Sequence, residues 1–225
     1  MGNTDWEIFN NPVNQAFNRV SMDDFLHLCN KYQVYHMSQQ DICDAIQSAC
    51  DFFHIPSPRV IHDMTHVRNG QTAFLNRDRG SFYDDEISFN LDQLIAMNIE
   101  TKTAFSLVMT HECAHRVFQN TIFYGINNGA WEQELCADFF MGVRAGLRNL
   151  ADIESVAIGL YHTCASPTHP EGALRTLFVR HGKYAGLELK SAGVPLTVQN
   201  LFNKFNEYLY QDRAEIIRFQ SRIFR

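Results

Sequence analysis

The sequence predicts an α+β fold in which a small antiparallel sheet is followed by a mostly helical region. Between residues 59 and 91, three short apolar runs with strand-like alternation are separated by turn-forming residues. After residue 91 the apolar side chains recur at helical spacing almost to the end of the chain. Strands first and helices after are typical of the α+β class. The chain has 225 residues, of which 45% are hydrophobic, so it can bury one sizeable core and we expect a single domain.

The elements follow in order from residue 38. A helix is expected over 38–54, because Ser38 can cap its first turn, Asp41 follows three residues later, and the segment IPSP ends it. The three strands are the segments RVIHDM, TAFLN and EISFNL. Helices are expected near 101–120, 131–149, 153–164, 170–185 and 197–222. The domain over 1–225 therefore consists of an N-terminal extension over 1–37, a core over 38–185 and a C-terminal helix over 186–225.

Charge and composition disfavour several classes of partner. The formal net charge is −6 and both signs are mixed along most of the chain, which gives no basic surface for nucleic acid. No apolar run is long enough to insert into a membrane, and none near the start resembles a secretory signal. The six cysteines lack CxxC spacing, which indicates reduced thiols. We therefore predict a soluble protein that is cytoplasmic, or exported by a route without a signal peptide; the sequence predicts no oligomeric state.

The segment VMTHECAHRVF carries the strongest chemical signal of the chain. Residues four apart on an α-helix lie on one face about one turn apart, so His111 and His115 can share one metal ion. Glu112 lies on the flank of that face, where its carboxylate can reach a water on the ion. HExxH is the signature of zinc metalloproteases for this geometric reason, and the surrounding run is helix-forming. The predicted cofactor is therefore Zn2+, with Glu112 as the catalytic base.

A catalytic zinc ion usually has three protein ligands, so another segment must supply the third. The metzincin extension is excluded, because it needs glycine where Phe118 stands and histidine where Thr121 stands. The segment WEQELCADFFMG supplies Glu134 and Asp138, which are four residues apart and share a helix face. We predict that Glu134 binds the ion, while Asp138 accepts the ring N–H of His111 and so fixes the tautomer of that ring.

Glu132 is the alternative ligand in the same segment. It has no aspartate four residues later, since Cys136 occupies that position, and Glu134 is therefore favoured. Thiolate ligands are not expected, because Cys113 is turned about 200° from His111 around the helix.

The motifs HECAH over 111–115 and ELCAD over 134–138 resemble the HExxH plus ExxAD arrangement of gluzincin zinc metallopeptidases. Further along, SPTHPEGALR is similar to a Thr-His-Pro segment with a downstream arginine in soluble relatives of the CAAX prenyl protease and in bacterial neutral zinc metallopeptidases. The resemblance covers residues 59–180 and implies a zincin-like catalytic domain. Unlike the prenyl-protease branch, this chain has no predicted transmembrane helix.

His169, within SPTHP, is the remaining candidate catalytic residue. It follows a break between helices, Pro170 favours a helix start just after it, and Arg175 can anchor the segment. The resemblance implies a histidine near the metal that either donates a hydrogen bond to the oxyanion of the transition state or caps the ion in a resting form. The alternative is that Thr168 and His169 only cap the following helix.

These residues predict a hydrolase that is a zinc-dependent endopeptidase or peptidase; the sequence does not distinguish endopeptidase from exopeptidase action. The ion polarises the scissile carbonyl, and Glu112 takes a proton from the zinc-bound water and later delivers it to the leaving amine. The resemblance implies that a protein or peptide substrate lies along a sheet edge, here the strand from Glu86 to Leu91, with an ordinary strand as the alternative. Two rival functions stay open: a catalytically silent zinc-site protein acting as a binding or regulatory module, and a metal-free interaction protein built on the helices.

Overall fold

The structure is a computed structural model, and it describes residues 39–62, 73–76, 86–89, 94, 97–118 and 129–223. The predicted N-terminal extension over 1–37 lies outside the described residues. Within the described ranges the helices are α1 Gln39–Phe53, α2 Lys102–Val117, α3 Ala130–Arg148, α4 Ile153–Tyr161, α5 Gly172–Ala192, α6 Val198–Gln211 and α7 Arg213–Ile223. The strands are β1 Arg59–His62, β2 Ala73–Asn76 and β3 Glu86–Phe89.

The predicted fold class is wrong, because the described residues form a predominantly helical protein and not an α+β one. Each strand has only four residues, whereas the helices have 9 to 21. The prediction of an antiparallel sheet is also wrong: β3 lies between the other two strands, parallel to β1 and antiparallel to β2. The apolar alternation predicted the strand segments but carries no information on their order. Here β3 pairs with both of the earlier strands and separates them.

The contacts within the chain divide it into two compact units, Met1–Arg116 and Val117–Arg225. The first contains α1, the three strands and all but the last residue of α2, and the second contains α3 to α7. The predicted boundary between the core and the C-terminal helix, at residue 185, falls inside α5. The single domain over 1–225 stays a prediction.

In the first unit, contacts from both sides hold α2 in place. α1 buries an apolar face that includes Ile42, and the backbone carbonyl of Ala45 accepts a hydrogen bond of 3.0 Å from the Ser106 hydroxyl on α2. β3 contacts α2 through Phe89 and Phe105, whose buried rings lie edge to face with centroids 5.1 Å apart. The middle of α2 is therefore buried on the sides that face α1 and the strands.

In the second unit, α3 and α5 approach each other closely enough to bring their backbones into contact. A Cβ atom added to Gly142 would lie 2.1 Å from the carbonyl oxygen of Val179, and one added to Gly182 would lie 2.0 Å from that of Phe139. Only glycine fits at such an approach. The crossing fixes side chains on α3 relative to those on α5.

The C-terminal helices differ from the prediction at two points. α5 continues past residue 185 to Ala192 and ends where Gly193 adopts a left-handed conformation, with φ of 62°. The interior Gly186 does not end α5, because its missing side chain admits the carbonyl of Val143. The helix predicted over 197–222 is divided at Asp212, whose carboxylate lies 2.6 Å from Nε2 of His181 on α5.

The sequence predicted that no segment inserts into a membrane. Among the described residues, none of the helices combines the length and the apolar character that crossing a bilayer requires. The compartment stays a prediction.

Candidate metal centre

The first half of the candidate site lies on α2, which forms where the sequence predicted a helix near 101–120. Thr101 precedes the helix and its hydroxyl accepts a hydrogen bond of 3.0 Å from the backbone N–H of Ala104, as an N-terminal cap does. Cys113 faces away from the two histidines: its sulfur lies 3.7 Å from that of Cys50 on α1, and both thiols are buried. Packing on α1 therefore fixes the rotation of α2 about its axis.

His111 and His115 lie one turn apart on α2 with their rings in contact. His111 is buried, with 7% of its surface exposed, and His115 is half-buried. The two Nε2 atoms are 3.3 Å apart, and the ring planes meet at 77°. Two nitrogens bound to one tetrahedral zinc ion at the usual bond length are separated by about 3.3 Å. The spacing of the pair therefore fits two ligands that converge on one ion.

Glu112, the predicted base, is buried on α2 with 7% of its surface exposed. A carboxylate needs a positive charge or hydrogen-bond donors to stay ionised in such a place. A metal ion next to His111 would supply positive charge close to this side chain.

The second half of the candidate site lies on α3, where Glu134 and Asp138 are one turn apart on the same face of the helix. Glu134 is 13% exposed, and Asp138 is completely buried. Asp138 is bound by Arg175 of α5 in a two-pronged arrangement: Nε lies 2.8 Å from Oδ2 and Nη2 lies 3.0 Å from Oδ1. Paired donors of this kind hold a carboxylate in one orientation.

Oε2 of Glu134 lies between two further groups of its own unit. Nε2 of His169 is 3.6 Å away and Nη2 of Arg175 is 3.7 Å away, both beyond hydrogen-bond distance but within strong electrostatic range. Glu132, the alternative ligand, has different surroundings: burial raises its pKa, and its Oε2 is buried without a hydrogen-bond partner among the residues that the structure describes.

The segment that carries His169 is held by hydrogen bonds within the segment and by one hydrogen bond from α3. The buried Trp131 on α3 donates from Nε1 to the carbonyl of Ser166 at 3.0 Å, and the backbone N–H of His169 donates to the Ser166 hydroxyl at 2.9 Å. The Thr168 hydroxyl lies 2.9 Å from Nδ1 of the His169 ring. α5 begins only at Gly172, with Glu171 at its N-cap. The helix-cap alternative for Thr168 and His169 is thus at odds with where α5 starts.

His111 and His115 on α2 supply two imidazole donors whose Nε2 atoms are 3.3 Å apart. Glu134 on α3 supplies the carboxylate that the sequence predicts as the third ligand. Two imidazoles and one carboxylate are a ligand set of catalytic zinc sites that keep a further position for water or substrate. The donor set therefore fits the predicted Zn2+.

Sequence reasoning missed the partner of Asp138. It gave Arg175 the role of anchoring the segment around residue 169, whereas the guanidinium binds Asp138 on a different helix. The signal was present, because Asp138 stands between apolar residues in LCADFFMG and a buried carboxylate requires a cation or several donors.

The predicted substrate strand does not have the position that was expected of it. Peptide addition needs a strand with an unpaired edge. β3, Glu86–Phe89, is hydrogen-bonded to β1 on one side and to β2 on the other, so these four residues offer no edge to a peptide. Leu91, at the end of the predicted strand, lies outside the described residues.

Comparisons with protein-family models, with curated proteins and with solved structures found no match to this chain. The resemblance to gluzincin peptidases therefore depends on the motifs around His111, Glu134 and His169, and membership of that family stays a prediction.

Proposed function

We propose that this protein is a zinc-dependent peptidase in which His111, His115 and Glu134 bind one Zn2+ ion. The observation that carries the proposal is the pair of His111 and His115 on α2, whose Nε2 atoms lie 3.3 Å apart, as two ligands of one ion would. Glu112 next to His111 adds a carboxylate, which a site that only binds zinc does not require. Nε2 of His169 lies 3.6 Å from Oε2 of Glu134, so a histidine ring is also close to the proposed third ligand.

When bound, zinc would act as a Lewis acid that polarises the scissile carbonyl and makes a water molecule more acidic. The protein's own residues then move the protons. Glu112 takes a proton from the attacking water and delivers it to the leaving amine, the role of a general base that becomes a general acid. His169, if its ring N–H points at the developing oxyanion, stabilises charge that exists only in the transition state.

The test compares the native protein with Glu112→Gln, in zinc content and in peptide hydrolysis. The substitution keeps size and polarity but removes the base, so we expect one zinc ion per chain in both proteins and turnover at least about a hundredfold lower in the variant. Zinc is measured by atomic absorption, and cleavage by mass spectrometry of a proteome-derived peptide library. Glu132→Gln is the matched control on α3 and should leave both quantities unchanged.

Three outcomes would contradict the proposal. Undiminished turnover in Glu112→Gln would remove the mechanism. Zinc binding without cleavage by the native protein would favour the silent zinc-site alternative. A native protein that binds no zinc would favour the metal-free interaction protein.

A further inference from the structure

We infer that Arg175 is a positioning residue for Glu134, and that Asp138 acts on this ligand by anchoring the Arg175 guanidinium. The inference rests on the proposed zinc site. It concerns side chains of α3 and α5 alone, and it gives Asp138 a role that differs from its predicted one of orienting His111.

The anchor is well defined. Asp138 has no exposed side-chain surface, and each of its oxygens accepts one hydrogen bond from Arg175, at 2.8 and 3.0 Å. Arg175 is itself 12% exposed, and its planar guanidinium leaves only one orientation that makes both bonds. The backbone contact of α3 with α5 at Gly142 and Gly182 keeps the two helices at a fixed separation.

The anchored guanidinium then limits where the Glu134 carboxylate can lie. Nη2, which donates to Oδ1 of Asp138, also lies 3.7 Å from Oε2 of Glu134. Glutamate has three rotatable side-chain bonds, so an unrestrained ligand at this position samples rotamers that point away from the ion. Attraction to a fixed cation favours the rotamers that keep Oε2 where it is.

A cation next to a metal ligand would ordinarily compete with the metal for the carboxylate. Here Asp138 supplies one negative charge and Arg175 one positive charge, so the hydrogen-bonded pair is close to neutral as a whole. Asp138 therefore offsets part of the positive charge that would compete with the ion, while Nη2 of Arg175 stays next to Oε2 of Glu134. Partners of this kind typically change metal affinity by about 10–100-fold.

The experiment is a double-mutant cycle on zinc affinity, measured by competition with a chromophoric chelator at fixed pH. Arg175→Lys keeps a cation opposite the buried Asp138 but loses the two-pronged geometry. It is measured in the native background and in Asp138→Asn. Arg180→Lys, the same change at an exposed position of α5, is the matched control. Circular dichroism and urea unfolding of the metal-free proteins show whether each variant folds, and Asp138→Glu replaces Asp138→Asn in the cycle if the latter does not fold.

We expect Arg175→Lys to weaken zinc binding about 10–100-fold in the native background, and by less than about threefold once Asp138 is changed. Arg180→Lys should leave the affinity unchanged. Equal affinities of Arg175→Lys and Arg180→Lys would overturn the inference, and so would a full-sized loss from Arg175→Lys in the Asp138→Asn background. Both results leave the zinc site intact, whereas a native protein that binds no zinc would overturn the proposed function together with the inference.

Discussion

The two neighbours of the His169 ring indicate which of its nitrogens carries the proton. Its Nδ1 lies 2.9 Å from the Thr168 hydroxyl and its Nε2 lies 3.6 Å from the Glu134 carboxylate. A hydroxyl can donate to a ring nitrogen, whereas an ionised carboxylate only accepts. The arrangement in which Thr168 donates to Nδ1 and the proton is on Nε2 is therefore compatible with both neighbours. In that tautomer His169 presents an N–H on the side of Glu134.

Replacing this donor should be visible in turnover rather than in binding. We expect His169→Ala to lower kcat by about 10²–10³ with KM little changed, because an oxyanion donor acts only in the transition state. Steady-state kinetics on a cleaved peptide measure both quantities, and zinc content checks that the metal is retained. Thr168→Val is the companion variant: it removes the hydroxyl that fixes the ring and should cause a smaller loss.

The other interpretations of His169 predict different results. A residue that only caps α5 would cost about 1 kcal/mol of stability on replacement by alanine and leave kcat alone. A histidine that caps the ion in a resting form would make His169→Ala more active than the native protein. Either result would remove His169 from the catalytic residues.

At the scale of elements, the crossing of α3 and α5 is the feature on which the arrangement of Glu134, Asp138 and Arg175 depends. The approach needs glycine on both helices, because the nearest atoms are backbone carbonyl oxygens that cannot rotate away. Glycine is a poor helix former, so its presence at Gly142 and Gly182 costs helix propensity of about 1 kcal/mol each. Close packing offsets this cost, and a larger residue has to push the helices apart.

Gly182→Ala should therefore destabilise the protein although alanine favours helices. The added methyl group would lie 2.0 Å from the Phe139 carbonyl oxygen, and overpacking of a fixed core typically costs about 1–3 kcal/mol. Urea unfolding measures the loss. Ser191→Ala, at an exposed position of the same helix, should stay within about 0.5 kcal/mol of the native protein. A Gly182→Ala variant as stable as the native protein would mean that the helices do not cross this closely.

The helices and strands also show which local sequence signals were sufficient to predict secondary structure. The apolar periodicity around α2 and α3 predicted both helices to within a few residues. The strand segments were located, but their pairing was not, because strand order depends on contacts that no segment carries in its own sequence. The break at Asp212 was missed as well; the His181 ring that lies 2.6 Å from its carboxylate is 31 positions away in the chain.

At the scale of the whole molecule, the parts of the site that depend on local spacing could be predicted, and the parts that depend on contacts between distant segments could not. The spacing of His111 and His115 makes them neighbours on any helix, and their 3.3 Å separation agrees with that geometry. Glu134 was selected by motif spacing, and its role as the third ligand stays a prediction. The two-pronged bond from Arg175 to Asp138 could not be located, because it depends on the packing of α3 against α5.

Zinc removal tests the proposed centre on the stability of the whole chain. In the unfolded chain nothing holds His111, His115 and Glu134 together, since Glu134 follows His115 by 19 positions. Zinc that binds only the folded protein stabilises it by about 4 kcal/mol when its free concentration is a thousand times Kd. For a chain of this length, each kcal/mol corresponds to about 2–4 °C in Tm, so chelation should lower Tm by roughly 8–16 °C.

The matched control is the response of the ligand variants to the same chelator. His111→Ala and Glu134→Ala should unfold at temperatures that no longer depend on zinc, because each has lost one of three ligands. Scanning calorimetry with and without chelator measures the shift for all three proteins. Should the two variants respond to zinc as strongly as the native protein, the ion would bind elsewhere on the chain, and the assignment of His111, His115 and Glu134 as its ligands would be wrong.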